Sequence, residues 1–215
     1  MRSWLEVTTP AGDVTLLSAE ERRQAVGISG DAQDPRLATL DAAVASAIAA
    51  ECQIAAGKGG SPTLRKETLK EHFRDVQCEA LLLSRRHDVA ITEIKFGDTD
   101  LASTEYEVDP EAGIVYRLLK GSTTFWSAAQ IDITYEAGFA TIPADLKMAA
   151  MDFMRLAWAE KDRDPSLKGE TIEIPGVSTK RRDYWVGSVP GQSHEGAVPD
   201  IVAGQLMRYR NMVIA

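Results

Sequence analysis

Three histidines, His72, His87 and His194, are the side chains best suited to move a proton near neutral pH, and they fall in three different segments. None belongs to an H-E-x-x-H pair, none is spaced from a carboxylate as a metal ligand would be, and no G-x-S-x-G elbow occurs. They read as surface or turn histidines. The two cysteines, Cys52 and Cys78, are too far apart for a metal or redox motif and read as thiols of a reducing compartment. Gly57-Lys58 carries the centre of a phosphate loop but not its frame. The glycine needed five residues earlier is Cys52 and the hydroxyl needed next is Gly59, so the stretch to Pro62 reads as a flexible linker. Glu20-Glu21 and Asp162–Asp164 read as solvated helix ends, and Lys180-Arg181-Arg182 as ion-pairing residues at a subunit interface. The expectation is a protein that is not an enzyme and uses no cofactor or metal. A small hydrolase is the competing idea, and it requires His72 or His87 buried in a cleft beside an acidic partner.

The elements that must position these residues centre on Ile131–Asp164. Ile131, Ile133 and Tyr135 alternate with Asp132, Thr134 and Glu136, the period of a strand with one buried face. Gly138 breaks it, and Pro143 suits a first helical turn because it lacks an amide proton. From there Leu146, Ala149, Ala150, Phe153, Met154, Ala157 and Trp158 form one apolar stripe, which predicts the core helix. Ser18 and Glu21 form a capping box for a short helix ending near Gly27, and Asp34-Pro35 opens an alanine-rich helix running to about Ala55. Its small side chains permit close packing on the core helix.

Between them, β-forming segments (Thr68–Phe73, Ala80–Leu83, Val89–Phe96, Tyr106–Val108, Ile114–Leu118) alternate with turn clusters such as Asp109–Gly113. Trp126 is expected to cap the apolar face of that sheet. Met1–Asp13 reads as an irregular arm or short strand anchored by Trp4 and Leu5. Lys161–Pro190 keeps no helical period, and its prolines predict a loop or extended arm. Tyr184 and Trp185, beside Arg181 and Arg182, are costly to leave in water, so they dock either on a neighbour or on their own subunit.

The fold class expected is α+β: a helical bundle core, an inserted small antiparallel β-subdomain and long extended arms. Residues 1–60 supply the first arm and helices, 61–139 the β-rich insertion, and 140–215 the core helix, extended loop and last helix, which joins 1–60 in one unit. Charged residues make up 26% and hydrophobic residues 44%, which excludes a disordered chain. The net charge of −8 works against lateral binding of nucleic acid, whose affinity comes from Lys and Arg. No apolar run reaches membrane-spanning length and no secretion signal opens the chain, so a protein assembled in the cytosol, with no membrane partner, is expected.

The strand ending TYEAGF, the link to IPADLKMAA and the helix running into RDPSL resemble the head-tail connector (adaptor) family of tailed bacteriophages and gene transfer agents. LLLSRRHDVAITEI, YEVDPEAGIVYRL and IDITYEAGF, in that order, resemble the β-rich insertion of its longer members, with His87-Asp88 departing from the turn expected there. LMRYR resembles the family's ending. The resemblance implies a ring, typically of twelve copies, at the neck of a virion or phage-like particle. Its partners would be the portal protein, a tail-side stopper or completion protein, and DNA passing through the lumen without sequence-specific contact. It also implies that the carboxy-terminal segment lies on the portal, through Ile201, Leu206, Tyr209, Arg210, Val213 and Ile214. The residues themselves allow a plainer reading, a last helix that closes the subunit's own core, and Ile201 and Leu206 fit it equally. A tail-completion or terminator protein of the same particle is the alternative function, distinguished by six copies per ring.

Overall fold

The computed structural model describes residues 1–159, 169–174, 178–183 and 198–211. In chain order they form β1 (Arg2–Thr9), α1 (Ala19–Val26), α2 (Asp34–Glu51), β2 (Glu67–Cys78), β3 (Ala80–Leu82), β4 (Ala90–Phe96), β5 (Thr99–Asp100), β6 (Tyr106–Asp109) and β7 (Ile114–Leu119). Then follow β8 (Ser122–Thr124), β9 (Trp126–Ala137), α3 (Ala144–Ala159), β10 (Gly169–Ile174), β11 (Ser178–Asp183) and α4 (Asp200–Gln205). The class is α+β, with antiparallel sheets as expected.

A helical bundle with a small insertion does not describe it. The protein is sheet-rich, and its long strands β2 and β9 run 12 residues each, well past the alternating segments Thr68–Phe73 and Ile131–Tyr135. Hydrogen bonds carry the pairing beyond the residues whose alternation marks it, to Glu67 opposite Ala137 and Cys78 opposite Trp126. One sheet has the order β1-β2-β9-β4-β5, and a second has β3-β7-β6 with β8 also on β7. The expected first arm is therefore β1, an outer strand of the larger sheet. The glycine-rich linker lies along its free edge: Val7 N–H donates to the Lys58 carbonyl at 2.8 Å and Lys58 N–H to the Leu5 carbonyl at 2.9 Å. Within the second expected arm, β10 and β11 pair as a hairpin from Gly169–Asp183 to Ile174–Ser178.

The apolar residues sort into two clusters. Leu5, Leu69, Phe73, Ile94, Ile131, Ile133 and Tyr135 from the larger sheet close on Leu81, Leu83, Val115 and Trp126. Trp126 is buried and its indole N–H donates to the Val115 carbonyl at 3.0 Å, so its polar edge is satisfied inside the apolar layer. The second cluster joins Leu16 and Leu17 to α2 (Leu37, Val44, Ile48), α3 (Leu146, Ala149, Ala150, Met154) and α4 (Val202). The alanines let α2 and α3 share this core. α1 starts on the expected capping box, Ser18 with Glu21, and ends on left-handed Gly27. Buried Asp41 of α2 accepts from the Leu17 amide at 3.0 Å and from Arg22 Nε at 2.9 Å, which fixes the segment before α1.

The two clusters are joined where β9 hands over to α3. Gly138 N–H donates to the His87 carbonyl and Phe139 N–H to the Leu64 carbonyl, both at 2.8 Å. Gly138 has φ +99°, and a Cβ there would overlap the Arg65 carbonyl, so glycine is required twice over.

Candidate interface surfaces

The residues singled out by sequence separate into three groups. Tyr184, Trp185, Val213 and Ile214 lie outside the described residues. Arg181 and Arg182 lie on β11, where Arg181 is exposed and opposite Thr171, and Arg182 is opposite Glu170. Ile201 is 67% exposed on α4, whereas Leu206 and Tyr209 are 0% and 2% exposed. Arg210 is half-buried and ion-paired with Glu51.

Leu206, Tyr209 and Arg210 meet at the junction of the two clusters, in a latch the sequence did not mark. The Tyr209 hydroxyl donates to Asp145 in the first turn of α3, and Arg208 donates to the same carboxylate at 2.8 Å. The Tyr209 carbonyl faces His87 Nε2 at 3.1 Å; a carbonyl only accepts, so Nε2 carries the proton. The His87 ring stacks on Phe139, with centroids 5.3 Å apart, and meets Tyr209 edge-on. Arg86 donates to the Asn211 side-chain carbonyl at 2.7 Å and the Arg210 carbonyl at 2.9 Å. The Asn211 amide group donates to Gln53 at 3.2 Å and Ser84 at 3.0 Å, and its backbone N–H to Cys52 at 2.8 Å. These partners are separated by about 50 to 160 positions in the chain, so no spacing rule could find them.

Burial sets the electrostatics of the latch. It lowers His87 below the ordinary histidine range, against the opposing hydrogen bond to the Tyr209 carbonyl. The hydrogen bond from Tyr209, helped by Arg208, holds Asp145 low, while burial and the Asp145 charge push the Tyr209 phenol up. Burial also pushes the Cys52 thiol up to about 12, which keeps it protonated and inert.

The second sheet has a different character on its outer side. Val115 of β7 points into the core and is buried, so Ile114, Tyr116 and Leu118 face outward by strand alternation. Leu82 of β3 pairs with Ile114 and joins them; Phe125, just before inward-facing Trp126, is 59% exposed. On β6, Glu107 lies opposite Tyr116 and Asp109 opposite Ile114, so exposed carboxylates flank the apolar stripe. A further exposed apolar set, Met148 and Leu156 of α3 with Ile201 and Met207, lies on the helical side.

A sequence model described as head completion protein (HCP) matches residues 15–178, about three-quarters of the chain. The chain belongs to the head completion protein family. The match covers most of both apolar clusters and stops at the start of β11, before the latch residues Arg208–Asn211. Among solved structures, the fold is similar to a chain in the neck of an empty GTA (gene transfer agent) particle computed with C6 symmetry. The two share 18% identity and a TM-score of 0.56 over 98% of this chain and 97% of that one. A comparison with curated proteins finds no match.

Membership of this structural family bears on the histidines of the competing hydrolase reading. His72 does lie beside an acid, with Nδ1 2.9 Å from Asp132, but on the outer face of the larger sheet and not in a cleft. Asp132 is shared with Arg74 at 2.8 Å, and the His72 ring stacks on Trp4 at 4.9 Å. Burial raises the Asp132 carboxyl, yet the hydrogen bonds from Arg74 and His72 together outweigh it and hold the group below its usual range. The group is thus a flat, ion-paired network. His87 has its ring occupied by the latch. Cavities of about 600, 410 and 220 Å³ are lined by other residues. Among the described residues no three His, Cys, Asp or Glu side chains are grouped to hold a metal, and no described helix is long and apolar enough to cross a membrane.

Proposed function

We propose that this head completion protein is a non-enzymatic connector subunit at the neck of a phage or gene transfer agent particle, where copies form a ring between portal and tail. The observation that carries this reading is the family match over residues 15–178, and the likeness to a neck chain over nearly the full length supports it. The ring leaves a passage for DNA, and the chain's charge of −8 suits a wall that the duplex slides past without binding. Twelve copies is the number in this reading. C6 symmetry in the neck of the similar particle is compatible with it, because a twelvefold ring contains the sixfold axis; six copies, as in a terminator ring, fit as well. The portal protein and a tail-side stopper or completion protein are the neighbours above and below.

In this arrangement the helical unit, from residues 1–60 and 140–215, forms the ring wall, and the sheet unit of 61–139 projects from it, with β1 lending an edge strand across the division. Arg181, Arg182, Tyr184 and Trp185 tie subunit to subunit. Exposed Ile201 meets the portal, as do Val213 and Ile214, while Leu206, Tyr209 and Arg210 set the angle at which that segment leaves the subunit.

Mass measurement of the purified chain with and without its portal tests the reading. A ring of twelve copies on the portal is expected. A ring of six transfers the chain to the terminator role, and a chain that stays monomeric with the portal present overturns the proposal. Salt-sensitive duplex affinity of the isolated chain would equally count against it.

A further inference from the structure

Resting on the ring reading above, we infer that the outer face and free edge of β6–β7 form a socket for the β11 strand of a second copy of this chain. A sheet face turned to water normally alternates polar residues outward. Here β7 turns out Ile114, Tyr116 and Leu118, beside Leu82 and exposed Phe125. A stripe of that kind is built to be covered. Next to it, β6 pairs on one side only among the described residues, so its other edge offers unpaired backbone groups to an incoming strand. That edge is acidic. Glu105, Glu107, Asp109 and Glu111 are all exposed, which repels a second copy of β6 and selects a basic strand.

Among the described residues, β11 is such a strand. Lys180-Arg181-Arg182 is the chain's single run of three consecutive basic residues, and all three lie on β11. β11 pairs with β10 alone among the described residues, as a separate two-stranded sheet. Two strands by themselves are marginal in water, and adding them to a third edge is the usual remedy. In a chain of net charge −8, a contact between copies needs such a local reversal of sign. Socket and strand are different surfaces of one chain, so the contact is heterologous and repeats around a ring instead of ending at a dimer.

The test uses necks isolated from assembled particles, in a Cys78→Ser background, with buried Cys52 retained. One chain carries Glu107→Cys and another Arg181→Cys. Oxidation is expected to give a mixed dimer of the two, and a ladder of oligomers when both cysteines are on one chain. Charge reversal by Glu107→Lys with Asp109→Lys is expected to abolish ring formation, and adding Arg181→Glu with Arg182→Glu to restore it. An intact ring built from the two cysteine variants that gives no mixed dimer on oxidation overturns this inference and leaves the ring reading standing, as does a cross-link formed only within single chains. Failure of the wild-type chain to form any ring overturns both.

Discussion

The inward stripe of α3 and the outward stripe of β7 are made of similar residues and end in opposite situations. Leu146, Ala149, Ala150 and Met154 on α3 are fully covered by α1, α2 and α4, and the latch at Tyr209 ties the last of these down. Ile114, Tyr116 and Leu118 on β7 are only half-buried, with Leu82 and Phe125 beside them in solvent. The helical stripe is consumed in making the subunit, whereas the sheet stripe is left over once the subunit exists. Apolar periodicity alone therefore marks a face that avoids water, and the tertiary structure says whether the described residues of the subunit cover it.

Substitutions separate the two stripes most strongly at the closed one. Leu146→Ala leaves a cavity at a fully buried position, and a loss of about 2–5 kcal/mol is expected in chemical denaturation. A much smaller loss would mean that α3 is not the covered stripe described here.

The latch that closes the helical side gives a pH-dependent effect. Burial lowers His87 below its ordinary 6.5, so as pH falls through that value the unfolded chain takes up a proton that the folded chain refuses. Stability is then expected to decline on acidification as pH falls through and below 6.5. Glu71 acts in the opposite sense, since burial raises its carboxyl and protonation favours the folded form as pH falls. The informative quantity is thus the difference from His87→Gln, which keeps a donor for the Tyr209 carbonyl and is expected to flatten the histidine part of the profile. Identical thermal-melt profiles for the two proteins would remove the latch from the pH response.

The smallest effect on stability is expected at the open stripe, and it sharpens the contrast. Leu82→Ser with Phe125→Ser touches only exposed side chains, so the melting behaviour of the subunit should move by less than about 1 kcal/mol for the pair. Ring formation should nevertheless be lost. Destabilisation comparable to Leu146→Ala would show that the subunit itself uses this face.

Much of the fold is legible in the sequence wherever its cause is local. Ser18 and Glu21 start α1 through contacts three residues apart, Asp109–Gly113 turns the β6–β7 hairpin, and the α3 stripe follows from helical spacing. Trp126 is buried as expected. Legibility fails where an element depends on a remote partner. Arg2–Thr9 reads as either an irregular arm or a short strand, and becomes the strand because β2 offers it a hydrogen-bonding edge. Gly57–Gly60 looks like a linker and is held against that same strand. Lys161–Pro190 shows prolines and no helical period, yet two pieces of it pair with each other as β10 and β11.

The interface candidates divide in the same way. Arg181 was singled out by residue type and position and Ile201 by the family resemblance, while Glu107, Asp109 and the outward face of β7 were not singled out. Four carboxylates on a β-turn segment look like ordinary solvation until strand order makes β6 an edge beside an apolar face.

By itself, the sequence determined the caps, the turns and the main helix, because each depends on residues within a turn or two of one another. Tertiary structure alone decided that the sheets outweigh the helices, that Tyr209 and Arg210 reach Asp145 and Glu51, and that one face of β7 is left half-covered among the described residues. Those outcomes depend on which distant backbone edges and side chains meet, and the free energy of such meetings is a property of the packed chain as a whole, invisible in any local window.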